Sequence, residues 1–448
     1  MWRRIGRHSL IFAAGAFAAA LLQIAFRLVA VHVLPLASYG RAALLLSVFN
    51  GLLWIGYCGV PMTLTRLAAR YENPSLDFPL LGAGVKAVFV PTMLAATGTG
   101  VATVVVTDSL PLALFAGAGT PPMVLSLLGA GFLRGRGFVV PAASIVPAIA
   151  LAQLVVLAAP NASGAGIGIG WVIASWVIGN VAGLVWSAVL VARYAQWPAE
   201  RPLPRAPELR PLGILKYSVW LSVATLSVLA LPIVARGALA GVSYEQVAYL
   251  DLALLIYSVP QRFTTSLVTA LVPIASAAHA RRVRVPIPGP TDALVLTGAV
   301  AALDAVLWRT HAVAHTLELA GLERYAAAEN LVLIVLLAVP LDVLYGINAG
   351  LLAAFGRSRR LAFVASAVLV PFVAACPVAV NLGSAYVAGL LVLAYWALYL
   401  VSRRALERSE VDRRTVAAQL LGRRPFSRPR ARQAVVPAET VPLRTEGR

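Results

Sequence analysis

Runs of about twenty residues with almost no charge follow one another along nearly the whole sequence. A helix that crosses a bilayer needs about that many mainly apolar residues, because lipid offers the backbone no hydrogen-bond partner and the segment must satisfy its own. Twelve such segments can be counted, near 9–32, 39–65, 79–106, 111–133, 138–159, 167–192, 214–236, 246–275, 291–308, 327–354, 361–379 and 383–402. The connections between them are too short to fold as a soluble domain. With 60% of residues hydrophobic and only 12% charged, the chain has more apolar surface than one globular core could bury. The fold class expected is therefore an all-α polytopic membrane protein of about 12 transmembrane helices.

Charge sets the expected orientation, since loops left in the cytoplasm retain Lys and Arg. With the N-terminus inside, 29 of the 35 arginines fall on the inner side, and both termini are cytoplasmic in the cell membrane. The net charge of +19 is thus explained by topology, and no nucleic-acid partner is called for. The basic tail "RRPFSRPRARQ" reads as a disordered, solvated segment, with anionic headgroups of the membrane lipids as the alternative contact. The first apolar run is long enough to span and is read as a retained helix rather than a cleaved signal.

Enzyme signatures are missing: there is no GxxxxGK[ST] phosphate loop, no HExxH and no GxSxG. Cys58 and Cys376 both lie in expected spans and form no redox or metal motif, so they read as small apolar residues. His311 and His315 have i, i+4 spacing but lack a third ligand nearby, so no metal is expected, nor any cofactor. The reading is a transporter and not an enzyme.

Internal repetition organises the chain. "SYGRAALLLSVFNGLL" aligns with "AYLDLALLIYSVPQRF", pairing Tyr39 with Tyr249, Ala43 with Ala253, Leu44 with Leu254 and Leu45 with Leu255. "AGFLRGRGFVVPAASIV" from 130 pairs with "AGLLAAFGRSRRLAFVASAVLV" from 349. Both pairs lie six expected helices apart, an even number, so the two halves keep the same orientation and a pseudo-two-fold along the membrane normal relates them. The expected organisation is a six-helix lobe over 1–192, a cytoplasmic linker over 193–213, a second six-helix lobe over 214–402 around a central cavity, and a basic, disordered tail over 403–448.

The segment "HVLPLASYGRAALLLSVFNGLLWIGYCGVPMTLTRLAARYENP", 32–74, resembles the region joining the first two helices of polysaccharide and O-antigen flippases. "EQVAYLDLALLI", "LVPIAS" and "GLLAAFGRSRRLAFVASAVLV" are similar to the matching places in the second lobe. These flippases belong to the multidrug, oligosaccharidyl-lipid and polysaccharide exporter superfamily. The major facilitator family fits less well, because its Gly-Asp-Arg-rich loop after helix two is absent from "RLAARYENPSLDFP". The resemblance implies a flippase of a polyprenyl-pyrophosphate-linked oligosaccharide that works by alternating access. A lipid-linked glycan would be the substrate and glycan assembly enzymes the partners. It also implies that basic residues on the first and eighth helices line a cationic cavity.

Charges inside apolar helices are costly and mark function or an internal tie. Arg262 stands near the middle of the eighth expected helix and reads as an anion handle, or as the partner of Asp251, Asp304 or Asp342. Arg27, with Gln23 one turn before it, forms a polar patch in the first helix, and Lys86 lies nearer the inner end of the third. Guanidinium suits phosphate because its planar fork makes two-point contact and keeps its proton. Asn50, Trp54 and Tyr57 share one face of the second helix and read as sugar contacts. Asp342, just after Pro340, is placed for ion coupling on a proline-loosened backbone, with Asp251 and Asp304 as rivals. The alternatives carried forward are an ion-coupled multidrug exporter of the same superfamily, and a membrane glycan polymerase or ligase.

Overall fold

Lipid leaves the backbone no external partner, and the chain answers with helix throughout. The computed structural model describes residues 2–71, 76–162, 167–195, 209–261, 289–355 and 357–422, and among these there is no strand. The first lobe holds α1 (Trp2–Val33), α2 (Leu36–Tyr57), α3 (Val60–Arg70), α4 (Asp77–Thr107), α5 (Leu110–Ala118), α6 (Thr120–Gly135), α7 (Val139–Ala162) and α8 (Ile169–Tyr194). The second holds α9 (Pro211–Ala240), α10 (244–261), α11 (Pro290–Arg309), α12 (Ala312–Leu319), a 3₁₀ turn (Glu323–Ala328), α13 (Glu329–Leu336), α14 (Val339–Ala354), α15 (Ser358–Leu382) and α16 (Ser384–Gly422).

Among the described residues, ten helical stretches are long and apolar enough to cross a membrane, and α13 with α14 makes an eleventh, bent by 41°. The expected eighth span, 246–275, lies partly outside the described residues, since α10 reaches their edge at Gln261. Three spans read as single helices are broken. The second breaks at Cys58 and Gly59, both left-handed (φ 46° and 67°), and Pro61 starts α3 where its missing N–H costs nothing. The fourth breaks at Gly119, with Pro121 in the first turn of α6. The tenth breaks at Leu337 and Ala338, just before Pro340, so the loosening expected there takes the form of a bend.

The end of the chain departs most from expectation. α16 continues through 403 to Gly422 instead of losing structure after 402. Local propensity explains this: "RRALERSEVDRRTVAAQLL" contains no Gly or Pro and is rich in Ala, Leu, Arg and Glu, all strong helix formers. The chain divides into two compact units after Ala405. Residues 423–448, the rest of the expected tail, and 196–208 of the expected linker lie outside the described residues.

Packing is that of a protein in lipid. Tyr39, Phe49, Leu64 and Phe132 are fully buried between helices, while α4 presents Phe89, Val90, Leu94 and Val105 outward, the last 72% exposed. Such a face is a liability in water and an ordinary surface in hydrocarbon. Small residues set the closest approaches. Gly40 is the clearest case: a Cβ there would stand 1.8 Å from the Tyr244 carbonyl oxygen, so α2 and α10 touch only because the side chain is absent.

Two ends of the bundle follow from the alternation of the helices. At one end Arg136, in the turn after α6, donates to the Ala68 and Tyr71 carbonyls at 3.0 and 2.6 Å and pairs with Asp77, stapling α3, α4 and α6 together. At the other, where α1 finishes, Arg324 donates to the Val31 and His32 carbonyls, and His32 bonds the Ala320 carbonyl at 2.8 Å.

Candidate functional site

α1 runs toward the end that carries Val33, and Arg27 lies six residues before its last residue, roughly 9 Å deep at 1.5 Å per residue. α9 rises to the same end from the second lobe and α10 descends from it. Those directions bring Arg27, Arg236 and Asp251 to a similar depth. Arg27 Nη1 donates to Asp251 Oδ2 at 2.9 Å, and Arg236 Nη2 stands 2.6 Å from Oδ1. Tyr39 at the start of α2 donates its hydroxyl to Oδ2 at 2.5 Å. Asp251 is 2% exposed, so one buried carboxylate is shared by two guanidiniums and a phenol reaching it from both lobes.

The triad forms one wall of a cavity of about 170 Å³. Gln23 on α1, Asn50 on α2, Gln153 on α7 and Trp176 on α8 line its first-lobe side, and Leu254 and Ser258 on α10 line the second-lobe side. Contacts between the lobes lie above and below it. Toward Val33 the lobes meet at Gly40 and Tyr244 and through the Arg324 and His32 bonds. Toward the opposite end Thr63 on α3 and Ser218 on α9 are 3.0 Å apart. Ligand pockets commonly enclose about 300–1,000 Å³, so this chamber must widen to take a large ligand.

The expected site residues divide. Gln23, Arg27 and Asn50 line the cavity, and Asp251 forms part of its wall. Trp54 and Tyr57 instead lie against each other, ring centroids 4.8 Å apart, beside the core of the first lobe. Lys86 sits on the exposed face of α4 with Val85, Phe89 and Val90, apart from the chamber. Asp342, in the first turn of α14, faces Tyr257 and Gln261 of α10, with Tyr345 and Tyr395 close by. Asp304 is buried in α11. Arg262 lies outside the described residues, and Asp251, one of its expected partners, is already held by Arg27 and Arg236. His311 and His315 face Glu329 and Glu318 at 3.4 and 3.3 Å.

Arg236 was the residue that sequence reasoning undervalued. Counted as the last residue of the seventh span, it looked like an edge charge, yet α9 continues to Ala240 and places it inside. The signal was present in "LALPIVARGALA", where apolar residues continue past the arginine. Gln153 and Trp176 carried no such mark, because a lone amide or indole in a membrane helix gives no period to read.

No family model and no curated protein sequence matches the chain. Solved structures do match in fold. An inward-facing multidrug resistance MATE family transporter of the MOP superfamily superposes with a TM-score of 0.62 at 14% identity, covering 89% of this chain and 98% of that one. The lipid II flippase MurJ in an inward closed conformation gives 0.63 at 11% identity, covering 89% and 87%. A MOP superfamily transporter from Pyrococcus furiosus, described by the reverse polarity of its binding pocket, gives 0.55 at 14% identity, covering 90% and 95%. The chain therefore has the all-helical MOP-type fold.

Proposed function

We propose that this protein is a flippase that carries a polyprenyl-pyrophosphate-linked oligosaccharide across the cytoplasmic membrane for assembly of a cell-surface polysaccharide. The observation that supports it best is the convergence of Arg27 and Arg236 on a single carboxylate at the wall of a membrane-embedded chamber. Two guanidiniums and one carboxylate leave a net positive charge, which attracts an anion and repels a cationic drug. A pyrophosphate supplies the same oxygen geometry as the Asp251 carboxylate, with more charge, and so competes with it for the two guanidinium forks. Gln23, Asn50 and Gln153 offer amide donors and acceptors, and Trp176 a flat apolar face, to the first sugars of the glycan.

In this reading no bond of the substrate is made or broken. The lobes part at the Thr63–Ser218 end, which the arginine distribution assigns to the cytoplasm, and the headgroup enters while the polyprenyl chain stays in lipid. Rocking of the lobes then closes that end and opens the other. The enzymes that build the lipid-linked repeat and those that polymerise it are the partners this reading implies.

A specific observation favours a second reading. Asp342 faces Tyr257, and Tyr345 and Tyr395 complete a carboxylate and aromatic cluster within the second lobe, the chemistry that suits an organic cation or a coupling ion. A multidrug exporter of the same fold would use that cluster.

One reconstitution separates the two. Proteoliposomes carrying the wild type, Arg27→Ala, Arg236→Ala and Asp342→Asn are assayed for movement of a fluorescent polyprenyl-pyrophosphate-linked oligosaccharide and for efflux of a cationic dye. Flippase function predicts lipid movement that both arginine variants abolish. Dye efflux that only Asp342→Asn abolishes, with no lipid movement, supports the exporter and sinks the flippase.

A further inference from the structure

Gln153 is an amide on an apolar helix, and the chain around it decides which of its two ends a ligand meets. It lines the chamber from α7 and is only 8% exposed. Its Nε2 donates to Asn180 Oδ1 on α8 at 3.4 Å, and Asn180 Nδ2 donates in turn to the Gly119 carbonyl at 3.1 Å. The direction of this relay is set from its far end. A backbone carbonyl only accepts, so Asn180 turns its nitrogen to Gly119 and its oxygen to Gln153, and Gln153 must answer with its own nitrogen. Asn180 is fully buried, with both ends of its amide used. The carbonyl that starts the relay belongs to the break in the fourth span, where Gly119 ends α5 and Pro121 and Pro122 follow without an N–H to offer.

The Gln153 carbonyl oxygen is left with no hydrogen-bond partner among the described residues. Its depth follows from helix register. α1 and α7 are the first and fifth spans and run toward the same end, and they touch where a Cβ on Gly15 would stand 2.8 Å from the Ala143 carbonyl oxygen. Ten residues further along each helix lie Ala25 and Gln153, so Gln153 is about 3 Å from the level of Arg27 at roughly 1.5 Å per residue. Trp176, one turn before Asn180 on α8, lines the same side of the chamber, its ring held against Phe49 with centroids 4.7 Å apart.

Two chemically opposite places therefore stand at similar depth on the chamber wall. The guanidiniums of Arg27 and Arg236 donate and suit phosphate oxygens, whereas the Gln153 oxygen accepts and suits a hydroxyl or an N–H. We infer that Gln153 reads a hydroxyl or N–H on the group bonded to the phosphate, so that the chamber selects a sugar-capped pyrophosphate over one capped by a group that cannot donate. Asn180 is a positioning residue in this, since it acts only through the orientation of the Gln153 amide. The inference rests on the flippase reading for its ligand and narrows that ligand by the chemistry next to its phosphate. A ligand without the donor leaves a buried acceptor unpaired, and that penalty is the source of the selectivity.

The test is calorimetric binding of two probes to the full-length protein in mild detergent: citronellyl pyrophosphate capped with glucose, and the same compound capped with cyclohexanol. The probes share charge, chain and ring size and differ in the hydroxyls, so the ratio of their affinities isolates the donor. Wild type should bind the glucosyl probe about tenfold more tightly, the worth of one shielded hydrogen bond. Gln153→Met and Asn180→Leu should bind both probes about equally, near the affinity of wild type for the cyclohexyl probe. Arg27→Ala should weaken both by one factor and keep the ratio, as any merely structural damage would. Equal affinities in wild type, or a preference that survives Gln153→Met, overturn the inference and leave the flippase reading standing. A preference lost in Gln153→Met but kept in Asn180→Leu overturns the positioning role of Asn180. Failure of wild type to bind either probe overturns the flippase reading and the inference with it.

Discussion

Asp251 is shared, and that makes its removal different in kind from the removal of either arginine. Arg27→Met leaves a one-to-one pair between Arg236 and Asp251, with 2.6 Å between charged atoms and the Tyr39 hydroxyl still donating. Asp251→Asn leaves two guanidiniums converging on a neutral amide inside the protein. Removing one partner of a buried ion pair costs about 3–5 kcal/mol. The carboxylate variant loses two such pairs and a hydrogen bond at once, so its cost belongs at or above about 5 kcal/mol, against less than about 3 for Arg27→Met. Unfolding entropy of roughly 2 cal/mol/K per residue over a chain of this length converts these to falls in melting temperature of about 5 °C and under about 3 °C. The assay is thermal melting in mild detergent, followed by size-exclusion fluorescence. The double variant Arg236→Met with Asp251→Asn should melt above Asp251→Asn alone, because it removes the uncompensated repulsion. Equal melting of Asp251→Asn and Arg27→Met, or no recovery in the double variant, would mean that the carboxylate is not shared, and the account of the chamber wall would fail with it.

Other expectations follow from single contacts. With Cys58 and Cys376 replaced by serine, the pair Thr63→Cys and Ser218→Cys should oxidise readily, since the native oxygens are 3.0 Å apart; transport should stop on oxidation and return on reduction, as measured by gel shift and proteoliposome flux. Gly40→Val should prevent the α2–α10 approach, because even a Cβ would fall 1.8 Å from the Tyr244 oxygen, and purified protein should be lost or aggregated on size exclusion. Arg136→Met removes two bonds to the Ala68 and Tyr71 carbonyls and the Asp77 pair, for a loss of about 3–5 kcal/mol read as a lowered melting temperature.

The fold was legible because lipid imposes a coarse rule, about twenty apolar residues per crossing, which local detail rarely disguises. What escaped was local. The breaks at Gly59 and Gly119 carry Gly and Pro signals, but within a long apolar run a break and a tolerated proline look alike: Pro147 and Pro371 sit inside unbroken helices while Pro61 and Pro121 start new ones. The site was half legible for a related reason. Arg27 and Asp251 stood out as charges in apolar helices, but which charge meets which depends on helix directions and depths. Hence Asp251 was matched in expectation with Arg262 as one possibility, and Arg236 was left at an edge. Trp54 and Tyr57 share a helical face with Asn50 in the sequence, yet only Asn50 reaches the chamber, since a helix face wide enough for three residues can be divided between cavity and core.

The uneven bonding of the two ends bears on direction. On the side of Val33 the lobes are joined by the charged triad, by the Tyr39 hydroxyl and by the Arg324 and His32 bonds to backbone carbonyls. On the opposite side the described residues include the hydroxyl contact of Thr63 with Ser218. A neutral hydrogen bond contributes about 0.5–1.5 kcal/mol and a buried ion pair resists separation by several. In the proposed alternating-access reading, separating the Thr63–Ser218 contact costs less than separating Arg27 from Asp251, and the latter pair acts as the pivot. For the other end to open, Arg27 must leave Asp251, which Arg236 of the same lobe retains, and in the proposed flippase reading a pyrophosphate in the chamber would take over Arg27 without leaving a buried charge unmatched. A substrate-free protein should then expose cysteines introduced near Thr63 to a water-soluble maleimide while protecting those near Tyr244. Addition of the lipid-linked pyrophosphate should reverse the pattern, and protection of both sites unchanged by substrate would refute the exchange.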